Sequence, residues 1–126
     1  MAKPEDELCK KVKNRLSYWQ SQKVVIHTDD IRRLNLRQIK GMFISSKPKG
    51  SPDLVSYFKH NNSCGILFIE LKTENDKHRV EQLEFMMKFK DLTNVHYLIL
   101  RDPNQIDITL ENITGYVQNT LDNIVI

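Results

Sequence analysis

Three charged residues in this chain have the types and spacing to do chemistry together: Asp53, Glu70 and Lys72. Asp53 follows Lys49-Gly-Ser-Pro52, a turn-rich approach to a strand, and Glu70 follows 17 residues later. Glu70 and Lys72 alternate along a strand, so their side chains point to the same face. Four consecutive apolar residues, Ile66 to Ile69, precede Glu70. A carboxylate and an ammonium at the end of such a buried strand are costly unless paired or bound to metal. Two carboxylates suit a hard cation such as Mg²⁺, which takes oxygen ligands and leaves room for water and substrate phosphate. A metal held there acidifies a water and neutralises charge on phosphoryl oxygens. A neighbouring lysine can orient or deprotonate the nucleophilic water or stabilise the transition state. The Leu71 carbonyl lies between the pair and can add an oxygen ligand. The chemistry this grouping suits is phosphodiester hydrolysis.

Glu-x-Lys recurs often by chance, so its surroundings carry the argument. A Gly-Ser-Pro-Asp turn precedes the first strand, the two motifs bracket one hairpin, and Gln82 follows at the start of the next helix. The hairpin is predicted as a strand over Asp53–Lys59, a turn at His60–Ser63 and a strand over Gly65–Thr73. The near-continuous apolar run in the second strand predicts a central position covered on both faces.

The other elements must hold that hairpin in place. Pro4 to Gln22 reads as an amphipathic helix. Pro4 suits its first turn, Glu5 and Asp6 its positive end, and Leu8, Val12, Leu16 and Trp19 form one apolar stripe. Val24, Val25 and Ile26 predict a strand over Lys23–His27. Asp29 or Asp30 is placed to cap a short helix running through Ile39 with Ile31 and Leu34, and Met42–Ser45 to form a short strand. Lys47–Pro52 reads as a loop. Arg79–Leu92 is predicted as a helix whose Val80, Leu83, Phe85, Met86, Met87 and Phe89 belong to the core. Val95–Leu100 reads as a buried strand, Thr109–Asn119 as a C-terminal helix, and Ile124–Ile126 as an edge strand or tail. The expected fold class is α/β, a mixed sheet flanked by helices in two or three layers.

The chain has 126 residues, enough for one compact domain over 1–126. It is 40% hydrophobic and 28% charged, as in ordinary soluble proteins. There is no long apolar run to span a membrane and no signal-peptide pattern at the N-terminus, so the expectation is a cytoplasmic, intracellular protein. Cys9 and Cys64 form no Cys-x-x-Cys pair, which argues against zinc or thioredoxin-like chemistry. Both are expected to be buried or half-buried, without a disulfide. The net charge of +3 says little by itself, but Arg32, Arg33, Arg37, Lys40, Lys47 and Lys49 fall in a stretch with no acidic residue. That stretch reads either as a footprint for a phosphate backbone or as a solvated loop.

Lys49-Gly-Ser-Pro-Asp-Leu54, Phe68-Ile-Glu-Leu-Lys-Thr73 and Gln82 together resemble the PD-(D/E)XK nuclease superfamily, most closely its VRR-NUC group, which is similar to Holliday-junction resolvases. The resemblance covers Glu5 to about Asp102. It implies a restriction-endonuclease-like core of order αβββαβ. It also implies that Asp53 and Glu70 bind Mg²⁺ or Mn²⁺, that Lys72 assists the water, and that Gln82 belongs to the active site. The family has a further glutamate on its first helix. Glu5 shares the inward stripe of Leu8, Val12 and Leu16, whereas Glu7 is rotated roughly 200° away, so Glu5 is the choice. Where the family tends to have a basic-Ser turn, this chain has Glu74-Asn-Asp-Lys-His-Arg79, in which Lys77 and Arg79 are candidate phosphate contacts, and the lone histidines His78 and His27 read as structural.

The resemblance implies a metal-dependent DNA endonuclease. A two-fold homodimer matches the symmetry of a Holliday junction, and with no room for a separate DNA-binding domain the fold itself must hold branched or duplex DNA. No small-molecule cofactor and no membrane are expected. A restriction-like or nicking nuclease is the alternative, as is a non-catalytic DNA-binding module on the same fold. An origin in a phage or mobile element rests on family analogy alone.

Overall fold

The computed structural model describes residues 3–32, 36–39, 42–45, 50–73 and 80–115. The chain opens with α1 (Pro4–Ser21), in which Pro4 occupies the first turn beside Glu5, Asp6 and Glu7. Its inward stripe is Cys9, Val12, Leu16 and Trp19, all buried. Next come β1 (Val25–Asp30) and a pair of short strands, β2 (Leu36–Ile39) and β3 (Met42–Ser45). A hairpin follows, β4 (Leu54–His60) and β5 (Ser63–Leu71), turning at Asn61, which adopts the left-handed φ of 56° that asparagine tolerates. The remaining elements are α2 (Val80–Met87), β6 (Val95–Leu100) and α3 (Asn104–Thr114).

The fold is mixed α/β. Four strands form one sheet in the order β1-β4-β5-β6, and β2 and β3 form a separate antiparallel pair. β1–β4 and β4–β5 pair antiparallel, and β5–β6 pair parallel. β5 therefore lies inside the sheet, as its apolar run predicts. Leu54 and Phe58 on β4, Leu67, Ile69 and Leu71 on β5, and Leu100 on β6 join Val12, Leu16 and Trp19 of α1 and Ile106 and Leu110 of α3 in one buried core. The alternate residues turn to the opposite face. There the ring of Phe68 meets those of Phe85 in α2, Phe89 just beyond it and Tyr97 in β6, with centroids 5.3, 4.8 and 6.1 Å away. The sheet is thus sandwiched between α1 with α3 and α2 with the turn after it.

Several expectations are corrected. No helix starts at Asp29 or Asp30. Both belong to β1, paired with Val55 and Leu54, and Leu36–Ile39 is strand β2. The side chains that would cap a helix are used elsewhere: Asp29 contacts His27, and Asp30 forms a salt bridge with Lys13 of α1. The last helix starts at Asn104, not Thr109, and ends at Thr114, capped by Gly115 with a left-handed φ of 71°; residues 116–126, including Ile124–Ile126, lie outside the described residues. α2 is shorter than expected and contains no buried residue, with Val80, Leu83 and Met87 exposed. β6 is an edge strand, mostly half-buried. Cys9 is buried as expected, but Cys64, near the hairpin turn, is exposed. Leu34 lies outside the described residues. Among the described residues no helix is long and apolar enough to cross a membrane.

Candidate active site

The hairpin register brings the two carboxylates together. Leu54, the first residue of β4, pairs with Ile69, and Asp53 just before it meets the stretch of β5 around Glu70. The Asp53 backbone N–H donates to the Ile69 carbonyl at 3.0 Å, and the Leu71 N–H donates to Asp53 Oδ2 at 2.8 Å. Asp53 therefore grips β5 on both sides of Glu70. Its own carbonyl accepts N–H bonds from Ile31 at 2.9 Å and Arg32 at 3.4 Å, tying the end of β1 to the same point. The approach to Asp53 is rigid: Pro52 is fully buried and Ser51 nearly so.

Asp53 and Glu70 are 6% and 7% exposed, and Lys72 is 5% exposed. Placing two carboxylates and one ammonium in so little water is expensive unless they compensate one another. The Lys72 N–H donates to the Leu100 carbonyl at 2.9 Å, which anchors the end of β5 to β6. The carboxyl-terminal ends of these parallel strands and the start of β4 thus meet at the acid pair.

Neutral donors from two further elements hold Glu70. Gln82 Nε2 of α2 donates to Oε1 at 2.9 Å, and the Tyr97 hydroxyl of β6 donates to Oε2 at 3.5 Å. Burial, with Glu70 and Asp53 nearby, pushes the Tyr97 phenol well above its ordinary range, so it stays protonated as a donor. Tyr97 is absent from the residues singled out in the sequence. Nothing local marks it in the apolar run Val95–Leu100, and only the parallel register, with Phe68 beside Tyr97 and Glu70 beside Ile99, brings it to Glu70. Gln82 is positioned by its helix and by the loop before Asp53. Gly50 takes a φ of +80°, and a Cβ there would sit 2.1 Å from the Glu81 carbonyl oxygen. The Asp53 loop and the first turn of α2 are therefore in backbone contact.

On α1, Glu5 is half-buried and Glu7 exposed. Among the described residues, however, no three His, Cys, Asp or Glu side chains converge, so Glu5 is not drawn into one cluster with Asp53 and Glu70. Arg32 is largely withdrawn from solvent: its Nη2 donates to Asp6 at 2.6 Å, and its side chain is 17% exposed. Burial pushes the nearby Cys9 thiol up, away from reactive thiolate. The β2 strand carries Arg37 in its backbone ladder. Arg33, Lys40, Lys47, Lys49, Lys77, His78 and Arg79 lie outside the described residues. His27 is exposed on the edge strand, its Nε2 2.7 Å from Asp29 Oδ1 and its ring stacked on Tyr57. Its strand partner Tyr57 lies four residues along β4 from Asp53, roughly 13 Å at the usual strand rise. That is too far for His27 to serve as a base at the acid pair.

The donor set fits a divalent cation. Asp53, Glu70 and the backbone at Leu71 offer hard oxygens, the chemistry that Mg²⁺ and Mn²⁺ select. Two buried carboxylates against one buried ammonium also leave the cluster favouring a cation. Comparison with protein-family models, with curated proteins and with solved structures finds no significant match to the chain.

Proposed function

We propose that the chain is a divalent-metal-dependent nuclease with a restriction-endonuclease-like core of the PD-(D/E)XK type that hydrolyses DNA phosphodiester bonds. The observation that carries this reading is the closeness of Asp53 and Glu70 at the end of the β4–β5 ladder, where Asp53 bonds to the backbone on both sides of Glu70, with Lys72 buried just beyond the same strand. The element order supports it too: without the β2–β3 pair, the chain runs helix, three strands, helix, strand, followed by the additional helix α3. Asp53 and Glu70 would hold Mg²⁺ or Mn²⁺ together with the Leu71 carbonyl. When bound, such an ion acidifies water and offsets charge on the phosphoryl oxygens.

The chain's own residues do the rest. The Leu71 N–H fixes the Asp53 carboxylate, and Gln82 fixes that of Glu70. Lys72, on the face of β5 that carries Glu70, presents an ammonium to the attacking water or to the developing negative charge. Burial of all three charged groups keeps their fields from being screened by water. The resemblance in sequence extends the reading to branched DNA, cut by a two-fold dimer, with phosphate contacts from the basic residues between Arg33 and Lys49 and from Lys77 and Arg79, Arg32 being held by Asp6 instead.

The test is incubation of the protein with a synthetic four-way junction, a matched duplex and single strands, with Mg²⁺, Mn²⁺ or EDTA. The expected result is metal-dependent symmetric cutting of the junction, abolished by EDTA. Cutting confined to duplex or single strands would retain the nuclease and discard the junction preference. No cutting of any substrate with either metal would overturn the reading.

A further inference from the structure

Glu70 reaches the acid pair on a side chain with three rotatable bonds, and each of its oxygens meets a donor from a different element. The Gln82 amide approaches Oε1 from α2, and the Tyr97 hydroxyl approaches Oε2 from β6. The Tyr97 ring is itself held, its centroid 6.1 Å from that of Phe68 and 6.2 Å from that of Phe85. Phe85 lies one turn along α2 from Gln82, so the helix that supplies one donor also braces the other. A hydrogen bond of 3.5 Å is weak taken alone. Here its donor arrives on a packed ring, so its effect is to exclude other orientations of the carboxylate rather than to add binding energy.

We propose that Tyr97 is a positioning residue for Glu70: its hydroxyl, opposed by the Gln82 amide, holds the carboxylate in the orientation in which it serves as a ligand for a divalent cation. The proposal rests on the metal-site reading given above. Groups that orient metal ligands in this way typically change metal affinity by 10- to 100-fold when removed. The long Tyr97 contact points to the low end of that range. Tyr97→Phe removes the hydroxyl and keeps the ring against Phe68 and Phe85.

The experiment is calorimetric titration of the full chain with Mn²⁺, wild type against Tyr97→Phe, together with thermal unfolding of both without metal. The expected result is an affinity about 10-fold weaker in Tyr97→Phe with an unchanged unfolding midpoint. Equal Mn²⁺ affinity in the two proteins would overturn the proposal. So would a loss of affinity matched by a loss of thermal stability, which would make Tyr97 a packing residue. Absence of Mn²⁺ binding in the wild type would instead remove the metal-site reading, and this proposal with it.

Discussion

Gln82 Nε2 donates to Glu70 Oε1 across 2.9 Å, joining the first turn of α2 to the strand that carries the acid pair. The bond makes α2 part of the site although none of its residues is buried. Gln82→Leu removes the donor at similar size. The expected outcome is a fall of about 10-fold or more in single-turnover cleavage. Stability should change little, because Gln82 is only half-buried. Wild-type cleavage by this variant would show that the helix does not contribute to the site.

Gly50 is the second link between α2 and the acid pair. Its φ of +80° strains any other residue, and a methyl group there would overlap a backbone carbonyl that has no rotamer to move. Gly50→Ala should therefore destabilise the fold by about 2 kcal/mol or more in urea unfolding. It should also lower cleavage, because the Asp53 loop and the Gln82 turn must separate. A variant as stable and as active as wild type would contradict the close approach.

The closeness of Asp53 and Glu70 was legible in the sequence because its signals are local. Asp53 after Gly-Ser-Pro, and Glu70 and Lys72 after Ile66–Ile69, are each defined within one strand, and a hairpin pairs neighbouring strands with little freedom of register. The inward stripe of α1 was legible for the same reason. Long-range partners were not. Asp29 and Asp30 look like helix caps until Lys13 and the β4 ladder claim them. Tyr97 looks like one more apolar strand residue until the parallel pairing sets it near Glu70. The apolar residues of α2 satisfy helical periodicity, yet periodicity does not say that a partner covers them, and Val80, Leu83 and Met87 remain exposed. The start of α3 did carry a local signal in Asp102-Pro103, since the Asp102 carboxylate accepts the Asn104 N–H at 2.8 Å.

Asp107 offers a test of the scaffold apart from the chemistry. Its Oδ1 accepts bonds from Trp19 Nε1 at 2.7 Å and from Arg15 Nη2 and Nε at 2.8 and 3.1 Å, clamping α3 to α1. Trp19 is fully buried, so its N–H loses this acceptor where water cannot replace it, whereas the half-exposed Arg15 can turn to water. Asp107→Ala should cost about 2 kcal/mol of stability. Below its lowered unfolding midpoint, cleavage per folded molecule should be unchanged. A stable variant, or a folded one that has lost activity, would contradict this division between scaffold and site.

Single-turnover cleavage of a four-way junction with Mn²⁺ by wild type, Asp53→Asn, Glu70→Gln and Lys72→Ala addresses the chemistry directly. Each variant changes one charge of the buried cluster while the fold is checked by thermal unfolding. Folded variants should each lose at least about 100-fold in rate while the wild type cuts. Cutting at the wild-type rate by any one of the three would contradict the account and place the reaction elsewhere on the molecule.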